Sequence, residues 1–174
     1  MPQRPAAGEY APFFAGYVKL VPETDVLPAL AAQASEIRRL AASVPAGRET
    51  FRYAPGKWTV REIFGHIGDA ERVFGYRAFC ISRGEQAPLP GFDENDYIAE
   101  SAYDEQSLAG LAEDFAGLRA SNLAVLGRLD PARWARVGNA NGNPVSVLAL
   151  AFIMAGHARH HVEVLKARYG VVTA

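Results

Sequence analysis

The sequence has few of the features that would place it outside the cell, in a membrane or on a nucleic acid. It contains one cysteine, which cannot form an intramolecular disulfide. Lysine and arginine number 18 and aspartate and glutamate 19, so a net charge of −1 gives no basic surface for nucleic acid or an anionic membrane. The longest nearly apolar run, residues 145–155, has about half of the roughly 20 residues that a membrane-spanning helix needs. Residues 1–8 lack the apolar run of a signal peptide, so we expect a cytoplasmic protein whose partners include neither nucleic acid nor membrane.

The length and composition are those of a single globular domain. The 174 residues are 49% hydrophobic and 21% charged, which excludes extensive disorder. Residues 1–22 carry four prolines and scattered aromatic residues without a helical period. We interpret them as an extended N-terminal arm packed on the body. Residues 23–174 are predicted to form one helical domain.

Apolar residues at steps of three and four predict four long helices in this domain. The predicted helices cover residues 24–44, 60–82, 108–129 and 146–169. The second helix has the clearest start, because Thr59 and Glu62 have the spacing of a capping box. The sequence therefore predicts an all-α fold, a four-helix bundle.

The connection between the second and third predicted helices is unusually long. Residues 84–103 contain prolines and an acidic group, and they exceed the usual length of a bundle loop. A crossover of this length gives the order up-down-down-up, in which the second and fourth helices are antiparallel. Residues 138–144 could form a small hairpin before the fourth helix. Whether the arm or the crossover contributes to a pocket is left open.

Three histidines are predicted to meet inside the bundle. His157 and His161 lie four residues apart on the fourth helix, and His66 lies on the second. At about 100° per residue, His161 falls about 40° from His157 toward the apolar stripe, and His66 lies at the edge of the stripe on its own helix. A rise of about 1.5 Å per residue places the three at one height if the helices are antiparallel. The long crossover and the histidine positions therefore support each other.

Three converging imidazoles are typical of a catalytic metal site. Neutral imidazole binds Zn²⁺ and Ni²⁺ well, and three protein ligands leave a position open for water or substrate. The alternative is that these are surface or core histidines whose spacing arose by chance. Gly65, Gly68 and Gly156 lie within two residues of a proposed ligand, although a helical glycine costs up to about 1 kcal/mol relative to alanine. They either allow close helix packing or leave room for a bound molecule.

The chain resembles the DinB-like proteins, a family of metal-binding four-helix bundles. The matching stretches are Tyr53–Asp69, Leu89–Asp93 and Gly156–Val162. The resemblance implies an up-down-down-up bundle in which one histidine of the second helix and two of the fourth hold a divalent metal ion. Those residues are His66, His157 and His161 here. The resemblance also implies activities similar to thiol-dependent transferases and isomerases or to hydrolases, and it leaves the substrate open.

Three further residues near the histidines are candidates for a role in the site. Asp69, one turn from His66, could act as a catalytic base or could be a solvated helix residue. Glu62 could orient an imidazole, although the capping box also requires it. His160 could donate a hydrogen bond behind the ligands or carry a proton, or it could be an exposed residue on the flank of the bundle.

Two functional hypotheses follow from the sequence. In the first, the chain is an enzyme in which a divalent metal ion, Zn or Ni, activates water or a low-molecular-weight thiol. It would then be a hydrolase or a thiol S-transferase acting on a small molecule. In the second, it is a non-enzymatic metal-binding or dimeric interaction protein of the stress-associated type. The family resemblance also implies a homodimer.

Overall fold

Four long helices form the body of the protein, and the segments that join them contain shorter elements. The computed structural model describes residues 4–172. Its helices are α1 (Ala15–Lys19), α2 (Val26–Ser43), α3 (Val60–Ser82), α4 (Glu94–Ala99), α5 (Leu108–Leu126), α6 (Pro131–Trp134) and α7 (Val147–Tyr169). The strands β1 (Val137–Ala140) and β2 (Asn143–Ser146) form an antiparallel hairpin, and 3₁₀ turns lie at Ala7–Glu9, Pro12–Phe14 and Tyr103–Glu105. Within the described residues, no helix combines the length and the apolar character needed to cross a bilayer.

The long helices α2, α3, α5 and α7 confirm the four-helix prediction, and local capping fixes their ends. At the start of α3, the Thr59 hydroxyl accepts a hydrogen bond from the Glu62 amide at 3.0 Å. The Glu62 carboxylate accepts one from the Thr59 amide at 2.6 Å, which completes the predicted capping box. The helix α7 begins after Ser146, whose hydroxyl accepts a hydrogen bond from the Ala149 amide. It ends at Gly170, where a φ of 69° favours glycine.

The direction of each helix follows from pairs of contacts along its length. On α3 and α5, Arg72 lies beside Asp114, and further along both helices Gly75 lies against Asn122. Residue numbers rise together on the two helices, so α3 and α5 are parallel. Parallel neighbours that follow each other in the chain require a long crossover, which residues 83–107 provide.

The helices α3 and α7 are antiparallel. His66 lies against His157, whereas Ala78, nearer the end of α3, lies in a small cleft with Met154 from nearer the start of α7. The bundle therefore has the predicted up-down-down-up order. This arrangement places the second and fourth bundle helices so that their histidines can meet.

The crossover predicted for residues 84–103 contains the short helix α4, and a 3₁₀ turn begins at its end. Asp93 begins α4, because its carboxylate accepts hydrogen bonds from two backbone amides of the first turn. Leu89 connects the crossover to the hairpin. Its amide donates to the Asn139 carbonyl, and its carbonyl accepts from the Asn141 amide, each at 2.9 Å. The crossover is therefore held against the hairpin, which itself confirms a prediction from the sequence.

The N-terminal segment differs from the extended arm that its prolines suggested. Residues 1–3 of the predicted arm lie outside the described part of the chain. Residues 4–22 form two 3₁₀ turns followed by α1, and Pro12 occupies the first position of a turn, where its missing N–H costs nothing. A helix of one turn has no repeated period, so the sequence pattern could not indicate it. Val18 and Val21 are buried, and α1 packs against α7.

The interior of the bundle consists of two apolar clusters with a polar layer at their boundary. One cluster includes Leu30 and Phe152, and the other includes Ile37 and Phe115. Buried polar side chains lie between them. The members of this polar layer are Gln33, His66, Glu71, Arg119, His157 and His161. Because a buried polar group without a partner destabilises a fold, these side chains need partners within the layer.

Arg119 organises the polar layer. Its fully buried guanidinium forms a two-point ion pair with Glu71, with N–O distances of 2.8 and 2.9 Å. It also donates to the Leu30 carbonyl and to the side-chain oxygen of Gln33. Gln33 in turn donates to the Ala155 carbonyl at 2.7 Å. Buried hydrogen bonds therefore join all four long helices at one level.

Replacing Arg119 with methionine should destabilise the protein strongly. The substitution leaves the buried Glu71 carboxylate without its partner, which costs about 3–5 kcal/mol in free energy of unfolding. Urea denaturation of the wild type and Arg119→Met measures the change. Arg38→Met is the matched control, because Arg38 pairs with Glu113 of α5 on the exposed surface and its loss should matter far less. Similar effects of the two substitutions would contradict this account of the polar layer.

Candidate metal centre

Three buried histidine side chains come together in the polar layer. His66 of α3 and His157 and His161 of α7 are 6%, 5% and 8% exposed. One ring nitrogen from each lies within 4.8 Å of the others. The Nε2 atoms of His66 and His157 face each other at 2.9 Å. The structure thus brings together the three residues that the sequence placed on facing helices.

Burial keeps these imidazoles neutral. Desolvation lowers the pKa of His66 to about 4, and it lowers the pKa of His157 and of His161 well below the usual value. Repulsion between the histidines acts in the same direction, and for His157 the Arg119 guanidinium adds to it. A neutral imidazole has a free lone pair, and this is the form that binds a metal ion.

The donor set fits one divalent ion. The Nδ1 atom of His161 is buried and has no hydrogen-bond partner among residues 4–172, an arrangement that a native structure seldom tolerates without a ligand or water. Two nitrogen ligands of one zinc ion lie at most about 4.2 Å apart, so a small tilt of one ring would bring all three into range. Three imidazoles suit Zn²⁺ or Ni²⁺ and leave coordination positions open.

Aromatic rings surround the three histidines. Tyr17 of α1 and Phe74 of α3 contact the His157 ring, with centroid distances of 5.4 and 5.8 Å. Trp58, just before α3, packs against His66 at 4.6 Å. These contacts fix the planes of the imidazoles. Nothing in the sequence pattern pointed to Trp58 or to Tyr17 as a neighbour of the histidines.

A cavity of about 290 Å³ opens beside His66 and His157. Its walls come from the N-terminal segment, α3, the crossover and the hairpin, so both segments left open by the sequence contribute. The aromatic and charged residues that line it include Phe14, Tyr17, Arg77, Phe92 and Glu94. The volume lies at the lower end of the range of ligand cavities, about 300–1,000 Å³, and therefore suits a small molecule.

Asp69 does not join the histidines. Its carboxylate lies 3.6 Å from the Arg72 guanidinium and is hydrogen bonded to Tyr103, on the side of α3 that faces α5. A position three residues after His66 is turned about 60° away around the helix, which explains the different direction. Burial, together with the hydrogen bond that the Tyr103 hydroxyl donates to the Asp69 carboxylate, raises the pKa of that hydroxyl. In this structure Asp69 is therefore part of a separate polar cluster.

Glu62 and His160 also lie outside the histidine group. The Glu62 carboxylate is held by the capping box and by Arg52, whose guanidinium is 2.7 Å away. His160 is partly buried on the flank of the bundle, with its ring 5.4 Å from that of Tyr17 and 4.9 Å from that of His161. His160 thus lies beside His161 and Tyr17, but it is not one of the three histidines whose ring nitrogens converge.

Two glycines near the site allow close packing. A Cβ atom on Gly156 would lie 2.0 Å from the backbone oxygen of Tyr17, and one on Gly65 would lie 2.3 Å from the Tyr103 ring. Gly68 has more room, since its Cβ would meet only the flexible end of Arg72 at 3.3 Å. At Gly156 and Gly65, the structure therefore favours close packing over space for a ligand.

The sequence and the fold both match known proteins. The sequence model of the DinB superfamily matches residues 29–165. No curated protein sequence matches the chain. Several solved structures share the fold at identities of 15–17%, a level at which the likeness establishes the fold alone.

Three of these structures are informative. YfiT from Bacillus subtilis, described as a probable metal-dependent hydrolase with an unusual four-helix bundle topology, is 17% identical with a TM-score of 0.74. The match covers 84% of this chain and 87% of YfiT. The mycothiol-dependent maleylpyruvate isomerase is 15% identical with a TM-score of 0.67, and the match covers 90% of this chain but only 64% of the isomerase. The DinB-like protein YjoA from Bacillus subtilis is 17% identical with a TM-score of 0.58, over 83% and 90% of the two chains.

Gly156→Ala should destabilise the protein and loosen α1. The new methyl group would collide with the Tyr17 backbone, and overpacking of this kind costs about 1–3 kcal/mol. Thermal denaturation and amide hydrogen exchange in α1 measure the two effects. Gly117→Ala is the control, since Gly117 lies inside α5 with open space around its Cβ position. That substitution should stabilise by up to about 1 kcal/mol, and a similar gain for Gly156→Ala would refute the close contact.

Proposed function

The chain belongs to the DinB superfamily, and on that premise we propose that it is a metal-dependent enzyme with a three-histidine site. The site activates water or a low-molecular-weight thiol for reaction with a small molecule. The observation that supports this most strongly is the convergence of His66, His157 and His161 next to an open cavity. A purely structural ion is normally enclosed by four protein ligands, whereas three ligands beside a cavity suit catalysis.

Some residues of the site would hold the ion, and others would enclose the substrate. Zn²⁺ or Ni²⁺ held by the three imidazoles would act as a Lewis acid and lower the pKa of a water or thiol. His66 and His157 present their rings to the cavity, and His161 lies behind them. Tyr17 and Trp58 keep the imidazole planes fixed through ring contacts. With water as the nucleophile the reaction is hydrolysis, and with a thiol it is S-transfer.

The proteins that share this fold support both reactions as candidates. YfiT is described as a probable metal-dependent hydrolase, and the maleylpyruvate isomerase is mycothiol-dependent. The small cavity favours a low-molecular-weight substrate over a macromolecule. The homodimer that the family resemblance implies stays a prediction, as does the cytoplasmic location expected from the sequence.

Metal content is the first test of this proposal. Protein purified without a histidine tag should contain about one Zn or Ni per chain by plasma mass spectrometry, because three imidazoles form a strong site. His66→Ala and His161→Ala should each lose the ion, since either change removes a ligand. His160→Ala is the matched control and should keep it. The proposal fails if no metal binds even after reconstitution with Zn, Ni, Mn and Fe, or if all four proteins bind the same amount.

The nucleophile can be identified with Co²⁺ in place of the native ion. A small thiol that coordinates the ion should change the optical spectrum, which favours S-transfer, whereas indifference to thiols favours hydrolysis. The non-enzymatic alternative predicts a spectrum that changes with neither thiol nor pH, because no exchangeable position is open. It also predicts a strong rise in melting temperature on metal binding.

A further inference from the structure

Arg77 of α3 is a buried arginine that has no carboxylate partner in the described part of the chain. Arg77 is only 5% exposed, and it takes part in none of the ion pairs formed among residues 4–172. Its Nη2 donates one hydrogen bond, to the Pro90 carbonyl at 2.6 Å. The rings of Phe74 and Phe92 lie 5.9 and 6.0 Å from its Cζ atom. Burial lowers the pKa of this guanidinium, as expected for a cation without a counter-charge.

Arg119, the other buried arginine among residues 4–172, has a structural role and a carboxylate partner. Its charge is neutralised by the two oxygens of Glu71, and further donors reach Leu30 and Gln33. Burying a guanidinium without such a partner is costly, because the charge loses its water and gains nothing in return. Within the part of the chain that the structure describes, Arg77 is therefore a buried cation without an anion.

The cavity beside the histidines has room for an anion that contacts Arg77. Arg77, His66 and His157 all line that cavity. Phe74 lies between the two ends, with its ring 5.9 Å from the Arg77 Cζ atom and 5.8 Å from the His157 ring centroid. A small molecule in contact with the guanidinium would therefore reach the histidines across one aromatic ring.

The charges on the cavity wall indicate which anion fits. Among the described residues that line it, Arg77 is the only lysine or arginine, and the exposed Glu94 adds one negative charge. A phosphate dianion paired with Arg77 alone would leave one negative charge uncompensated, beside the further negative charge of Glu94. A planar carboxylate matches the paired N–H donors of one guanidinium and carries a single charge.

We propose that Arg77 binds the carboxylate of a small monoanionic substrate and directs the remainder of that molecule toward His66 and His157. The proposal rests on the proposed function only for the metal ion at the histidine end. The recognition of the carboxylate is a property of Arg77 and can be measured separately.

The competing explanation is that Arg77 only holds the crossover against α3 through Pro90. Two probes of nearly equal shape separate the explanations: 3-phenylpropionate and its neutral amide, 3-phenylpropanamide. A loosened cavity would bind both probes poorly. Loss of a charge partner would weaken the carboxylate alone.

Isothermal titration calorimetry on the purified full-length chain provides the test. The wild type should bind the carboxylate at least about tenfold more tightly than the amide, the value expected for a charge-assisted pair. Arg77→Met should remove this preference and keep the affinity for the amide, and Arg77→Lys should retain part of the preference. Arg83→Met is the control, because Arg83 is exposed and stacks on Phe79 outside the cavity. Glu94→Gln should strengthen carboxylate binding alone.

A carboxylate can also coordinate a metal ion, so the titrations are repeated in the His161→Ala background. The preference that depends on Arg77 should persist there. The proposal is overturned if the wild type does not distinguish the probes, if Arg77→Met keeps the preference, if Arg77→Met loses both probes together, or if the preference disappears with His161→Ala. Metal content is measured for each variant, so failure of the metal site and failure of the carboxylate site give different results.

Discussion

The buried ion pair between Arg119 and Glu71 fixes how the four long helices meet. Because neither charge can be left alone in the core, α3 and α5 are held in one register, and the bonds from Arg119 through Gln33 to α7 extend that register to the whole bundle. His157 lies two residues after Ala155, the acceptor at the end of this chain of bonds. A shift of α7 by one turn would break the network and separate the histidines in the same movement. The polar layer thus supports both the fold and the candidate metal centre.

The register of the helices alone does not bring the histidines together; the order of the helices in the bundle is also needed. An up-down-down-up bundle places α3 antiparallel to α7, so residues from the first third of α3 reach residues from the middle of α7. The crossover that this order requires then returns beside the hairpin and forms part of the cavity wall. The N-terminal segment closes the remaining side through Tyr17. The long helices hold the histidines, and the short segments shape the space in which a substrate can bind.

Much of this arrangement could be predicted from local features of the sequence. Caps at Thr59 and Gly170 mark helix ends, and the helical period places His66, His157 and His161 at the borders of the buried helix faces. The partner of Arg119 could not be predicted, although its position in the stripe of Phe115 and Leu126 indicates burial, because the pairing depends on how four helices meet. The turns of residues 4–22 lack any period, and the direction of Asp69 toward Arg72 depends on a neighbouring helix. That Arg77 has no carboxylate partner among residues 4–172 is visible only once the surrounding elements are in place.

In the proposed function, one metal ion lies among His66, His157 and His161 and faces the cavity. Anomalous diffraction from crystals of the zinc-loaded protein, recorded on both sides of the zinc absorption edge, tests it most directly. We predict one strong anomalous peak per chain, within about 2.0–2.1 Å of a nitrogen atom from each of the three imidazoles. A peak at other side chains, or none among these histidines in fully loaded protein, would contradict the account.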